Sequence, residues 1–518
     1  MLRLIHLGAA VHPHAGLPSP DLILSETIQM STSAELILWI DNPHATVTEV
    51  VGAKASALAR VAANSSSQED SLHIPTPAGF IISTEACAQL LGQDSVRDPL
   101  TTLFQSLADG KVLPTRFAEQ AQTLIDQAAI SEQLLYQLGP ALEQLQGKDA
   151  DAVFAVRSSA IYEDLEQASY AGQYETVLSV HDLAGVISAY RSILGSMFST
   201  RVLAYTNAHQ QPFGQNLMAV LVQRMVRSDL GASGVLLSAD PDLQVHVTSS
   251  GGPKNSNNSN NNTTEDLPAA VTSIEACWGM GDALVDGLLI PERYEVTHQG
   301  LSSLERPEVR VFPQAQQLKS NGSADLIPTS DTEQSTQVLR LDQILLLNDW
   351  GQLLAERFGH QVELEWAVDG ITQEMVLLQV RPFPQTAEPK DSDLSLANPE
   401  NTIALTSGLA IGSGTVESRV CVLSDPFEPG AFKEGDVLVT HSTNPSWLPL
   451  MLQASALITD QGGRNSHAAI LGRELGLLCV VGCIDATTKL LEVDRVRVIC
   501  DQGVGKVLPA ATADRHSG

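Results

Sequence analysis

Four stretches of this chain concentrate side chains capable of chemistry. In Gln461-Gly-Gly-Arg-Asn-Ser-His-Ala-Ala-Ile-Leu-Gly-Arg-Glu-Leu-Gly476, a glycine loop runs into a helix that starts near His467. Gly462 and Gly463 permit a tight turn, Ser466 suits an N-cap, and Gly476 stops the helix. An imidazole at that point stands beside backbone N–H groups that no helical carbonyl engages. Those donors and the helix dipole would hold a phosphate carried on the ring. The same spacing also serves a histidine that only caps or packs.

The second stretch is Val362 to Gly370 followed by Val376 to Pro382, read as two strands joined by an Asp-Gly turn. Strand alternation puts Glu363 and Glu365 on one face, and likewise Gln379 and Arg381. Pairing the strands would gather carboxylates, an amide oxygen and a guanidinium. Such a set suits Mg2+ and a phosphate that the cation bridges. Read alone, it also fits a hairpin with a solvated charged face. The third stretch, Ala152 to Ala160, is a strand that delivers Arg157 ahead of the small-residue loop Ser169-Tyr-Ala-Gly-Gln-Tyr-Glu-Thr176. A guanidinium fork grips phosphate, and Gly172 lets backbone donors approach it. The fourth is Gly52-Ala53-Lys54, a turn into a helix whose lysine would by itself be a solvated charge.

The elements that must position these groups follow from pattern. Glu35 to Ile40 reads as a buried strand, Val50 to Arg60 as a helix after a glycine turn, and Ile74 to Ile82 as a proline-bounded strand. Residues 90–150 read as amphipathic helices. Leu217 to Val226 and Ser233 to Pro241 read as buried strands, and a helix covers about 341–358. Asn255 to Thr264 is too polar to order itself and reads as a flexible insertion, with the composition shift spanning 249–265. Residues 386–402 have a linker composition. Strands at 436–440, 455–459, 477–481 and 496–507 then build a compact β/α domain. The organisation expected is an extension at 1–31, a domain at 32–385, the linker, a domain at 403–510 and a tail at 511–518.

Composition limits what such a chain can do. At 518 residues it is long enough for two or three domains. The balance of 60 acidic against 30 basic residues argues against a nucleic-acid or anionic-membrane surface, and no apolar run reaches the ~20 residues of a membrane helix. Six scattered cysteines complete no zinc set and read as buried thiols of a reducing compartment. The first residues lack a secretory pattern, so a cytoplasmic location is expected.

Gly462-Gly-Arg-Asn-Ser-His-Ala-Ala-Ile470 followed by Arg473-Glu-Leu-Gly476 resembles the phosphohistidine motif of the dikinases that make or use phosphoenolpyruvate. That family includes phosphoenolpyruvate synthase, pyruvate phosphate dikinase, rifampin phosphotransferase and the glucan, water dikinases. Thr443 to Met451 resembles the segment ahead of its histidine. Gly52-Ala-Lys54 and Ile74 to Ile82 resemble the start of its nucleotide domain, with Ala53 where the family has glycine. Val156-Arg-Ser-Ser-Ala160, Glu163-Asp164 and Ser169 to Gln173 are similar to its phosphate-binding segment, and Glu365-Trp-Ala367 with Leu378-Gln-Val-Arg-Pro382 to its metal and phosphate signature.

The resemblance implies α/β and α+β architecture: an ATP-grasp domain followed by a swivelling β/α phosphohistidine domain. It implies ATP and Mg2+ as cofactors. Lys54, Arg157, Ser169, Gly172, Gln173, Gln223, Glu275 and Arg381 would contact the nucleotide, Ser169 to Gln173 as a phosphate lid. Glu365 and Gln379 would hold Mg2+ with Glu363 beside them, and His467 would be the catalytic relay. His467 would take the β-phosphoryl group of ATP, AMP would leave, and the phosphohistidine would swing to an acceptor. The pyruvate-binding barrel of the synthase has no counterpart here, so the acceptor site is expected from a partner subunit, from the cleft between the domains, or not at all, with a small-molecule acceptor or a partner subunit as the partner. Two other readings stay open: a subunit of a split phosphoenolpyruvate synthase, and a degenerate ATP-binding scaffold or sensor, which has no need of His467.

Overall fold

Strand-forming runs and the helices between them pair into three main sheets in a computed structural model of the chain. The described residues run from 35 to 510, without 65–71, 150, 164–169, 171, 209–215, 244, 248–266, 298–306, 314–317, 323–325 and 384–402. The expected extension, insertion, linker and tail lie outside them. The chain divides into two compact units. One is built from residues up to 59, 78–163 and 173–224. The other comprises 60–77, 164–172 and 225 onward.

In the first unit, five strands are ordered β1-β2-β5-β3-β4: β1 (Ile37–Trp39), β2 (Gly79–Ile82), β3 (Phe154–Ala160), β4 (Thr176–Val180) and β5 (Met218–Arg224). The apolar stretches expected at 35–40, 74–82, 152–160 and 217–226 supply four of them. The stretch expected to be helical holds Asp94–Ala108, Pro114–Gln127 and Glu132–Gln146. Their periodic apolar positions, such as Leu100, Phe104, Phe117, Ala121 and Ile125, are buried.

Helix α1 (Thr48–Asn64) is broken at Gly52, whose φ of 74° and ψ of 170° only glycine adopts without strain. A Cβ there would lie 1.9 Å from the Ser159 carbonyl oxygen. Ser159 also donates from Oγ to the Val51 carbonyl (2.8 Å) and accepts from Ala55 N–H (3.0 Å), tying the kink to β3. Gly52→Ala therefore meets both strain and a backbone collision. It should cost at least about 3 kcal/mol in the urea transition of this unit. An unchanged midpoint would show that the kink is not needed.

The second unit holds a six-stranded sheet, β9-β8-β7-β6-β10-β11, with β6 (Ala232–Leu237), β7 (Val271–Trp278), β8 (Glu292–Thr297), β9 (Glu308–Phe312), β10 (Val362–Val368) and β11 (Met375–Pro382). Helix α2 (Leu341–Phe358) buries Leu347, Trp350 and Leu354, and its Gly351 lets it close on Leu236 of β6. The Asp-Gly turn expected between β10 and β11 opens a wider connection. It is the loop 369–374, in which the Asp369 carboxylate accepts from the N–H groups of Ile371 (2.8 Å), Thr372 (2.9 Å) and Arg227 (3.1 Å). An Asp side chain able to collect several backbone donors organises a wider loop.

The same unit contains a closed barrel, β12-β16-β15-β14-β13-β17-β18: β12 (Thr406–Ile411), β13 (Gly414–Val422), β14 (Val437–Thr440), β15 (Ala456–Thr459), β16 (Leu478–Val481), β17 (Arg495–Asp501) and β18 (Val504–Pro509). Its interior is aliphatic, with Val437, Val439, Ile458, Val480 and Val498 fully buried. Helix α3 (His467–Leu475) connects the parallel strands β15 and β16.

All six cysteines are reduced and buried. Burial pushes the Cys87, Cys277, Cys483 and Cys500 thiols from 9.0 up to about 12. A folded-state pKa raised in this way favours the fold fully below pH 9 and loses that contribution as pH climbs toward 12. Native protein at pH 8 should leave the thiols unreactive to a thiol reagent, and urea should release six. Rapid native labelling would contradict this burial.

Candidate functional site

The site is best built from the two sheets, each taken alone. On the five-stranded sheet, Arg157 and Ser159 alternate onto one face of β3, and Gln223 of β5 stands directly opposite Ala155 on that same face. Ser159 fixes the start of α1 there, so Lys54 is brought to the face that carries Arg157 and Gln223. The Lys54 ammonium pairs with the buried Glu163 carboxylate, which also accepts from Ala160 N–H (3.1 Å). Gln223 is buried, and its Nε2 has no hydrogen-bond partner among the described residues. A buried amide left in that state is a fit for a polar ligand group. Gln173 is fully buried just ahead of β4. Ser169 lies outside the described residues. Gly172, in the second unit, has the left-handed φ of 68°.

On the six-stranded sheet the hairpin pairing falls where strand alternation placed it. Glu363 faces Arg381 and Glu365 faces Gln379. Arg381 Nε donates to Glu363 Oε1 at 3.0 Å, and both side chains are buried. Burial raises the Glu363 pKa and the Arg381 charge opposes that rise. The register continues across the sheet: Glu365 opposes Val235, Val235 opposes Glu275, and Glu275 opposes Arg293. Directly opposed residues share a face, so Gln379, Glu365, Glu275 and Arg293 form one transverse polar row. Arg293 lies 4.2 Å from the centre of the Phe312 ring at the end of that row.

Glu365 and Gln379 supply two neighbouring oxygen donors. That fits a cation that keeps water and phosphate ligands; among the described residues no group of three His, Cys, Asp or Glu side chains is gathered to enclose a metal.

His467 is the first residue of α3 and is only 5% exposed. Its Nδ1 meets Thr443 Oγ1 at 3.1 Å. Ser466 takes the N-cap position with φ −71° and ψ 157°, yet its hydroxyl donates to the Gly463 carbonyl (2.8 Å) instead of capping the helix. Gly476 ends the helix with φ 63°, as expected.

Glu275, read from the resemblance as a nucleotide ligand, has hydrogen-bond partners within the protein. It is fully buried, and its carboxylate accepts from Arg464 N–H (2.6 Å), Asn465 N–H (3.0 Å) and Asn465 Nδ2 (3.0 Å). Burial raises its pKa against the pull of those donors and of Arg293 and Arg464. Nearby, Asp242 accepts from Arg473 Nε (3.0 Å), Arg473 Nη2 (2.8 Å) and Gly412 N–H (2.8 Å). Arg464 lies 3.5 Å from Asp240.

The pyruvate phosphate dikinase AMP/ATP-binding domain matches residues 48–401, and the mobile domain of PEP-utilising enzymes matches 432–503. The chain is 31% identical to phosphoenolpyruvate synthase of Escherichia coli strain K12, over 91% of this chain and 57% of that protein. It is 30% identical to phosphoenolpyruvate synthase of Aquifex aeolicus, over 92% of this chain and 55% of that protein. The chain belongs to the phosphoenolpyruvate synthase and pyruvate phosphate dikinase family. It spans a little over half the length of these two relatives.

As a member of that family, the chain carries an AMP/ATP-binding domain and a PEP-utilising mobile domain. No helix among the described residues is long and apolar enough to cross a membrane. Several residues of the site were not singled out from sequence. Thr443 lies in the segment that resembles the family's stretch ahead of the histidine, and it follows β14, the parallel neighbour of the strand β15 that leads to His467. Asp240, Asp242, Arg464 and Arg473 could not be paired without the fold, because the partners are 231 residues apart in the Asp242–Arg473 contact.

Proposed function

We propose that the chain performs dikinase-type phosphoryl transfer, moving the β-phosphoryl group of ATP to His467 and then to a small-molecule acceptor. The observation that carries this reading is the Thr443–His467 contact on Nδ1 at the head of α3. With the proton on Nδ1 and donated to Thr443 Oγ1, the lone pair lies on Nε2. Nε2 forms the new bond to the β-phosphorus while the bond toward the α-phosphate breaks and AMP leaves. The γ-phosphoryl group goes to water or phosphate. When the acceptor takes the phosphoryl group, Nε2 recovers its electron pair and the Nδ1 proton has stayed in place.

Lys54, Arg157, Ser169, Gly172, Gln173, Gln223 and Arg381 are assigned to nucleotide binding. Glu365 and Gln379, with Glu363 beside them, would hold Mg2+, which neutralises phosphate charge when bound. Such residues need only position and neutralise, since phosphoryl transfer asks for little else. The names of the relatives favour a second, compatible reading in which the chain acts in phosphoenolpyruvate synthesis, with pyruvate as acceptor and a further subunit or domain supplying its site.

ATP labelled at the β or at the γ position separates the outcomes. Acid-labile protein label from the β position, with AMP formed, is the expected result. Label from neither position and no AMP would leave only a nucleotide-binding scaffold. Discharge of the label by pyruvate alone, or only after a second protein is added, identifies how the acceptor site is supplied.

A further inference from the structure

We infer that Glu275 is a positioning residue for His467, which clamps the loop ahead of the histidine onto the sheet face that carries Glu365 and Gln379. This rests on the function proposed above. Three observations support it. First, among the described residues the carboxylate's hydrogen bonds go to the loop: Oε1 accepts from Arg464 N–H, and Oε2 accepts from Asn465 N–H and Nδ2. Consecutive backbone donors ahead of a helix form an anion-receiving nest, and here a fixed protein carboxylate fills it.

Second, the fit is close. A Cβ on Gly463 would lie 2.3 Å from Glu275 Oε1, so only glycine lets the loop come down on the carboxylate. Either side of it, Gly462 N–H reaches the Leu289 carbonyl (3.3 Å), and Asp242 binds Arg473 of α3 and the Gly412 N–H. The loop and its helix are thus held at several points, every side chain of which is buried.

Third, the clamp stands in the right row. Glu275 is two strands from Glu365, about 10 Å across the sheet at ~4.8 Å per strand. The loop that leads into His467 is thereby anchored on the same sheet face as the oxygen donors proposed for the metal and phosphates, two strands away. The family resemblance implies a nucleotide ligand at Glu275; the geometry points to a residue that acts through His467.

The test compares two variants with wild type. Glu275→Gln keeps the shape and removes the charge. Gly463→Ala keeps the carboxylate and wedges the loop off it. Each is measured for ATP binding, for the rate of label uptake from β-labelled ATP, and for hydrogen exchange at the Arg464 and Asn465 amides. Expected for both is ATP affinity within about two-fold of wild type, label uptake slowed about 100-fold, and faster exchange at the two amides. If Glu275→Gln weakens ATP binding while the amides stay protected, Glu275 is a nucleotide ligand and the clamp is wrong. Label uptake at the wild-type rate in both variants also overturns it. If wild type itself takes no label, the proposed function fails, whereas the exchange measurement still decides the clamp. Retained thiol protection identifies variants that have folded, and the near-isosteric Glu275→Gln keeps the test open if Gly463→Ala does not.

Discussion

His467→Ala should take up no label from β-labelled ATP and release no AMP above background, with its fold and ATP affinity intact. The expectation is this severe because the imidazole is the proposed atom-to-atom relay, and α3 carries no other imidazole. Removing a covalent nucleophile is worth many orders of magnitude where a charge-stabilising contact is worth two or three. Truncating a side chain this buried and bonded to Thr443 should also cost about 1–3 kcal/mol, which the urea transition reads separately from label uptake. Thr443→Val gives the graded companion. It removes the hydroxyl at 3.1 Å from Nδ1 but leaves Nε2, so uptake should slow by roughly 10- to 100-fold without disappearing. Label uptake by His467→Ala would require another phosphorylated residue and would remove the basis of the proposed function.

What could be read from the residues alone follows the range of the interactions. Period-two alternation is local, so the face shared by Glu363 and Glu365, and its pairing with Gln379 and Arg381, needed only the hairpin. The helix start at His467 and its stop at Gly476 depend on neighbours within one turn, and both stand where the loop and cap residues put them. The exact hairpin loop did not follow, because the Asp369 carboxylate gathers donors from Arg227 as well as from its own loop. Ser466 shows the same limit at short range: the residue type suits a cap, but the tight turn offers the Gly463 carbonyl first. Glu275 shows it at long range. The donors that receive its charge come from 189 and 190 residues further on, beyond the reach of any local pattern.

The remaining large effect is expected at the Glu363–Arg381 pair, where stability and function can be separated. Arg381→Met removes the guanidinium from a carboxylate that is 3% exposed. An uncompensated buried charge typically costs about 3–5 kcal/mol, so the urea midpoint of the second unit should fall substantially. Replacing the whole pair by Glu363→Leu and Arg381→Met leaves no buried charge at that position. Attraction between buried charges rarely exceeds their desolvation cost by much, so the double variant should recover most of the lost stability. Label uptake from β-labelled ATP should remain lost in both, because the proposed phosphate contact is gone in each. The cycle thus distinguishes a guanidinium kept for packing from one kept for phosphate. If the double variant charged His467 at the wild-type rate, Arg381 would be only the counter-ion of Glu363. If it were no more stable than Arg381→Met, the cost would lie in contacts other than the Glu363 charge.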